Sequence, residues 1–133
     1  MIEQSVATIL TTTAGVTAVV EQRVHPLIIP QNERGVAAQP CLVYQVITRE
    51  RSKTRCGTID LVRTSMQIDA YGRTYASAKT ASEACVAAML DYRGTVGGVT
   101  IKDVALSAEI DLMDPEPGLY RVSNTFEIWH TPR

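Results

Sequence analysis

The chain has few of the residues on which recognition and catalysis commonly depend. Its 133 residues include one Trp and one Phe, and aromatic residues make up only 5%, which is little for a site that binds bases by stacking. The formal net charge is −1, so the chain as a whole is not attracted to nucleic acid or to an acidic membrane. No apolar run approaches the roughly 20 residues of a membrane-spanning helix. These absences disfavour a membrane protein and a nucleic-acid-binding protein.

Catalytic motifs are also missing. The sequence contains no glycine-rich phosphate loop, no G-x-S-x-G, no C-x-x-C and no H-E-x-x-H. Its two histidines, His25 and His130, are far apart in the sequence. A nucleophile–base pair with Cys41 or Cys85 would require the fold to bring these distant segments together. We therefore predict no catalytic residue and no cofactor.

Acidic residues cluster once, at Asp111, Asp114 and Glu116. Their spacing is not that of a calcium-binding loop, and the interleaved prolines indicate a solvated turn between strands. We therefore predict no metal site.

The cysteines are three in number and widely spaced. Cys41 and Cys85 lie in apolar patterns, which favours buried thiols in a reducing compartment over a disulfide framework.

The composition is that of an ordinary globular domain. Hydrophobic residues make up 45% of the chain and charged residues 20%, which argues against disorder. We expect residues 1–133 to form a single domain with one modest core.

The clearest structural signal runs from Leu61 to Gly94. Apolar residues alternate with polar ones from Leu61 to Tyr71, which predicts a half-buried strand. Thr74 is placed to cap a following helix, and Gly94 to end it. The strand's apolar face comprises Val62, Met66, Ile68 and Ala70, and its polar face Arg63, Ser65, Gln67, Asp69 and Tyr71. The helix should bury Ala78, Ala81 or Ser82, Cys85 and Met89 at steps of three and four.

The remaining chain predicts one short helix and further strands. A helix over 2–11 is followed by a short apolar patch, an extended segment from Arg23 to Ile29, and a polar loop over 31–40. Strands follow at Cys41–Thr48, Val99–Leu112 and Leu119–His130, and the turn 114–118 separates the last two. The fold class is therefore α+β: a mostly antiparallel sheet of four to five strands, with a long helix and a short N-terminal helix on one face, in the order α-β-β-β-α-β-β.

Two surface features stand out. The connection Arg49–Arg55 predicts the protruding tip of a long hairpin, which is either a solvated end or an arm that grips a neighbouring subunit. The predicted polar face of the sheet carries more acids than bases, and such a face would repel phosphate groups if it lined a passage for DNA. The basic tip comprises Arg49, Arg51, Lys53 and Arg55. The acids predicted on the polar face are Asp69, Asp103, Glu109, Asp111 and Glu127.

Several strings, in order along the chain, resemble a known family. Arg23–Leu27 with Pro30, and then Gln39–Gln45, resemble the N-terminal strands of phage tail completion proteins. Gln67–Tyr71 leading into Tyr75–Ala78 is similar to that family's central strand and alanine-rich helix. The turn and strand in Asp114–Arg121, closed by Phe126–Trp129, are similar to the family's final hairpin.

The resemblance implies a structural protein of the virion of long-tailed phages or prophages, present in the host cytoplasm during assembly. Such a protein caps the head-proximal end of the tail tube as a ring, expected to be hexameric, stops tube polymerisation and joins tail to head. Its partners would be copies of itself, the major tail tube protein and the head–tail connector, and DNA would pass through without specific binding.

We expect the ring contacts to use the basic tip and the loop 31–39 against Glu109, Asp111 or Asp114 of the next subunit. Asp69, Asp103 and Glu127 are the candidates for acids that face the passage.

Three other functions stay open at this stage. A neck stopper or adaptor on the portal side would have the same virion context. A small hydrolase or ligand-binding domain would need a pocket containing His25, His130 or Cys85. A nucleic-acid binder would depend on the basic tip.

Overall fold

The helices and strands were obtained from a computed structural model that describes residues 2–20, 24–26, 40–54, 57–72, 74–114 and 119–131, with side chains described except at 51–54, 57–60, 113, 114 and 119. The elements are α1 (Ile2–Thr12), α2 (Ala14–Val20), β1 (Val24–Pro26), β2 (Cys41–Thr54), β3 (Gly57–Gly72), α3 (Tyr75–Met89), β4 (Gly94–Val96), β5 (Val99–Asp114) and β6 (Leu119–His130). The predicted α+β class is confirmed.

The sheet is wider than the four to five strands that the sequence predicts. Its six strands in the described residues lie in the order β1-β2-β3-β6-β5-β4. β1 pairs with β2 in parallel, and the other neighbouring strands are antiparallel, so the sheet is mixed. The additional strand is β4, in a segment predicted as a glycine-rich turn. Gly97 and Gly98, with φ of 58° and 81°, form the tight connection to β5.

A second short helix is the other departure from the predicted order. α2 has seven residues, too few to show a helical period in the sequence. Val16 and Val20 are fully buried, so this helix is stabilised by docking rather than by its own propensity.

The core lies between the sheet and a layer of described helices on one face. Apolar residues of α1, α2 and α3 belong to one buried cluster with the sheet residues Met66, Ile68, Phe126 and Ile128. Even-numbered residues of β3 and β6 point into this cluster, and the odd-numbered ones point to the opposite face, as their alternation predicts. None of the helices in these ranges has the length and hydropathy needed to cross a bilayer.

Both ends of α3 are defined by local chemistry. Thr74 is the N-cap, as predicted: its hydroxyl accepts a hydrogen bond from the Ser77 amide. The Ser77 hydroxyl reaches back to the Thr74 backbone, and the two bonds form a capping box. The helix ends earlier than expected, at Met89. Asp91 adopts the left-handed conformation with φ of 59°, so Gly94 does not end the helix and instead begins β4.

A bulge in β5 overturns the predicted faces of that strand. The register with β6 shifts between Leu106 and Ala108, and one extra residue reverses the alternation beyond it. Ile110 and Leu112 therefore share the polar face with Ser123 and Arg121, their partners on β6. Glu109 and Asp111, predicted on the polar face, lie on the helix side instead.

The basic tip is largely strand rather than loop. β2 continues to Thr54 and β3 begins at Gly57, with register shifts between Val46 and Thr48 and between Arg51 and Lys53. The backbones of Arg49, Arg51 and Lys53 are thus paired with β3. Arg55 and the loop 31–39 lie outside the described residues.

Candidate interaction surfaces

The polar face of the sheet, formed by the odd-numbered residues of β3 and β6, is opposite the described helices. Gln67 donates hydrogen bonds to both oxygens of Asp69, at 2.9 and 3.0 Å, and Arg121 Nη1 lies 3.7 Å from Asp69 Oδ2. Ser65 donates to Glu127 Oε1 at 2.7 Å. Asp69 and Glu127 are thus held in place by neighbours on the same face.

Charge on this face is nearly balanced. Arg63 contacts both Glu127, at 3.7 Å, and Glu50, at 2.7 Å. Asp103 lies 3.9 Å from the Nε atom of Arg93. Three arginines thus pair with four acids, and the acidic excess is smaller than the sequence predicts because Glu109 and Asp111 are on the other side. The three predicted passage-facing acids, Asp69, Asp103 and Glu127, do share the face.

Glu109 and Asp111 join β5 to α3. Tyr75 donates its hydroxyl hydrogen to Asp111 Oδ2 at 2.6 Å, and Lys79 donates to Asp111 Oδ1 at 3.2 Å. Lys79 Nζ is also 3.6 Å from Glu109 Oε1. The Tyr75 hydrogen bond, with that of Lys79, holds the pKa of the Asp111 carboxyl below its usual value, and the Asp111 hydrogen bond raises the pKa of Lys79.

The base of the β2–β3 hairpin is tied to the rest of the molecule. Arg49 forms an ion pair with Glu3 of α1. The side chains of Arg51, Lys53 and Asp114 are not among those described. Of the predicted ring-contact residues, Glu109 and Asp111 are therefore brought together, and Arg49 lies near α1.

The two outer strand edges were not predicted. Among the described residues, β5 from Ala105 to Asp114 pairs only with β6, and β2 from Gln45 to Thr54 pairs only with β3. Exposed apolar side chains lie on both: Ile110 (53% exposed) and Leu112 (40%) on β5, and Ile47 (47%) on β2. The sequence does not reveal Ile110 and Leu112 as exposed, because they continue the apolar alternation of β5. The bulge turns them to the outer face.

Of the residues considered for catalysis, His130 and Cys85 are both buried, and His25, on β1, is paired with Val43 of the strand that also carries buried Cys41. His130 is buried, and its described hydrogen bonds link Nε2 to the Thr64 hydroxyl at 2.7 Å and Nδ1 to the Thr131 carbonyl. Because a carbonyl can only accept, Nδ1 carries the proton. Burial raises the pKa of Cys85 to about 12, so its thiol stays protonated near neutral pH and is a poor nucleophile. Within the described residues, no group of three or more His, Cys, Asp or Glu could hold a metal ion.

Comparisons with known proteins give a family and a fold. A family model described as "Tail completion protein gp17" matches residues 4–131. Among solved structures, a chain of the "Virion of native gene transfer agent (GTA) particle" superposes with a TM-score of 0.74 at 14% identity, covering 97% of this chain and 93% of that one. This likeness shows a shared fold. No match was found among curated proteins.

Proposed function

The chain belongs to the tail completion protein gp17 family, and on that premise we propose that it caps the head-proximal end of a phage tail tube as a ring. Family membership makes it a structural component of the virion tail, and the family is not an enzyme class. The finer role is that the ring, of six copies, stops tube polymerisation and presents a docking surface to the head–tail connector. The observation that carries the proposal is the family match, which spans nearly all of the chain.

The distribution of polar and apolar surface supports a ring-forming subunit. The described helices lie on one face of the sheet, and the paired acids and arginines on the other. In a closed ring, the outer circumference is longer than the inner one, so the layer of helices fits more easily on the outside. We therefore propose that the helices face outwards and the polar face lines the passage, where Asp69, Asp103 and Glu127 keep the wall from binding phosphate groups.

Opposite charges support the proposed contacts between copies. We propose that Arg51 and Lys53, in the hairpin of one copy, face the acidic end of β5 in the next. Glu109 and Asp111 already share Lys79, and two acids against one lysine leave a negative charge for a neighbour. Asp114 follows on the same strand.

A tube-growth experiment tests this function. Tail tube protein of the same phage is polymerised with and without the purified chain, and tube length and ends are measured by negative-stain microscopy. We expect shorter tubes with a ring at one end, in proportion to the amount added. Unchanged growth with bare ends would contradict capping. Binding to the connector without binding to tubes would instead support a neck stopper or adaptor.

A further inference from the structure

The outer edge of β5 offers unpaired main-chain groups along residues 105–114. β4 pairs with β5 only at Val99–Ile101, and the Asp91 amide bonds to Val104. Beyond Val104, no described residue pairs with this edge. An exposed strand edge is a template for another strand.

Lysine, arginine and proline are absent from the outer edge of β5, and its bulge is confined to its first residues. Residues 105–114 contain no Lys, Arg or Pro, the residues that commonly protect edge strands. The bulge lies at its beginning, so the strand is regular from Ala108 onwards. Ile110 and Leu112 are exposed there, and apolar side chains at an unprotected edge are suited to contact with a partner strand.

A matching edge lies on the opposite side of the same sheet. β1 covers β2 only at Leu42–Tyr44, which leaves residues 45–54 without an outer partner among the described residues. The two open stretches, 45–54 and 105–114, are the same length. The charges of the two stretches are complementary. Residues 45–54 of β2 carry three bases and one acid (Arg49, Arg51, Lys53 and Glu50), and residues 105–114 of β5 carry three acids and no base (Glu109, Asp111 and Asp114).

Strand directions also match. β2 is antiparallel to β3, β3 to β6, and β6 to β5. The strands at the two edges therefore run in opposite directions. When a second copy is placed beside the first in the same orientation, its β2 edge meets the β5 edge as an antiparallel pair.

We propose that the outer edge of β5 in one copy pairs with the outer edge of β2 in the next copy and extends one sheet from subunit to subunit. The inference rests on the proposed ring and names the main-chain contact that builds it. The contact is heterologous, and every copy contributes one edge of each kind. Such a contact closes into a ring when the rotation between copies permits.

The positions of the two open stretches also require the strands to be inclined to the ring axis. Val46, Met66, Phe126 and Leu106 form one row across the sheet. From this row, the open part of β2 extends mainly towards the start of β3. The open part of β5 extends in the opposite direction, towards the start of β6. The two stretches can overlap only if the strands are inclined to the ring axis, as in closed sheets generally.

Two edge-blocking variants test the proposal. Ile110→Lys places a charge on the β5 edge, and Ile47→Glu places one on the β2 edge; both sites are exposed, so the fold should persist. Ala87→Lys, at an exposed position of α3, makes the same kind of change away from either edge. Circular dichroism checks folding, and sedimentation velocity over a concentration series measures self-association.

We expect each edge variant to weaken self-association at least roughly tenfold, with Ala87→Lys behaving as wild type. An equimolar mixture of the two edge variants should form complexes again, because the intact β2 edge of one meets the intact β5 edge of the other. A contact between two β5 edges would instead leave Ile47→Glu unaffected, which overturns the proposal.

The other outcomes are equally decisive. Wild-type-like assembly of both variants, or a mixture that stays monomeric while wild type assembles, would overturn the edge contact. So would an Ile110→Lys variant that self-associates normally but no longer binds tubes, since the edge would then hold a tube subunit. A wild type that is strictly monomeric in solution would also overturn self-association through these two edges. Tube capping would still stand if rings form on tube ends.

Discussion

At the scale of single residues, Gly72 lies where β3 ends and the chain turns into α3. A Cβ atom at this position would lie 2.8 Å from the backbone nitrogen of Ala78, closer than a side-chain carbon can approach without displacement. The sequence places glycine here because the strand and the first turn of the helix are in direct contact.

We predict that Gly72→Ala destabilises the protein by about 1–3 kcal/mol, since the strand and helix must separate. Gly15→Ala is the matched control. Gly15 lies in α2 with no atom within 4 Å of the added Cβ, so the same change should stabilise by about 0.5–1 kcal/mol through helix propensity. Chemical denaturation measures both, and equal effects of the two substitutions would contradict this account of the turn.

Cys85 is completely buried in the core, and burial raises its thiol pKa from 9.0 to about 12. The unfolded chain ionises this thiol near pH 9, whereas the folded chain does not. The stability that Cys85 contributes is therefore present below pH 9 and is lost as pH rises towards 12.

We predict that the stability advantage of wild type over Cys85→Ala is roughly 1 kcal/mol smaller at pH 10 than at pH 8. Comparing the two proteins cancels the titration of the other groups. Chemical denaturation of both proteins at both pH values gives their free energies of unfolding and hence this difference. A difference that does not change with pH would show that the thiol ionises equally in both states.

At the scale of elements, β5 shows how far sequence reasoning extends. Strand faces that alternate without interruption, as in β3 and β6, could be predicted because each side chain's face follows from its parity. The β5 bulge could not, since one inserted residue leaves local alternation intact while exchanging the faces beyond it. Glu109 and Asp111 were therefore assigned to the wrong side, and the exposure of Ile110 was missed.

Short helices and strands were the other features that could not be predicted from the sequence. α2 and β4 are seven and three residues long, and each exists because of tertiary contacts rather than local pattern. Asp69, Asp103 and Glu127 could be placed on one face from parity. Their pairing with arginines depends on the register between strands, which sequence alone does not give.

The link between α3 and β5 is a hydrogen-bonded cluster of Tyr75, Lys79 and Asp111. We predict that Tyr75→Phe raises the pKa of the Asp111 carboxyl towards its usual value, because the tyrosine hydrogen bond is the largest cause of the lowered pKa. NMR titration of the Asp111 side chain measures this. Tyr120→Phe is the control, because Tyr120 contacts Tyr75 edge-on at a ring-centroid distance of 6.1 Å and is not a described donor to Asp111.

The sign of the associated pH effect follows from the lowered pKa. The stability that the Asp111 contacts contribute is present above the unfolded pKa and is lost as pH falls through the folded one. In Tyr75→Phe, that acid-dependent loss should therefore be smaller than in wild type. An unchanged Asp111 titration curve would mean that Lys79 alone sets the pKa.

At the scale of the whole molecule, the features most relevant to function lie on surfaces. His130 and Cys85 serve hydrogen bonding and packing in the interior, whereas charge and exposed strand edges are arranged on the outside of one sheet. In the proposed function, such a subunit acts through copies of itself. The proposed ring gives each surface one role: edges for neighbours, polar face for the passage, helices for the exterior.

Deletion of the gene in its phage tests the central claim most directly, with tails measured by electron microscopy. The account predicts tails longer than normal and unattached to heads, with normal length and attachment restored when the wild-type chain is supplied in trans. Tails of normal length that are joined to heads would contradict it.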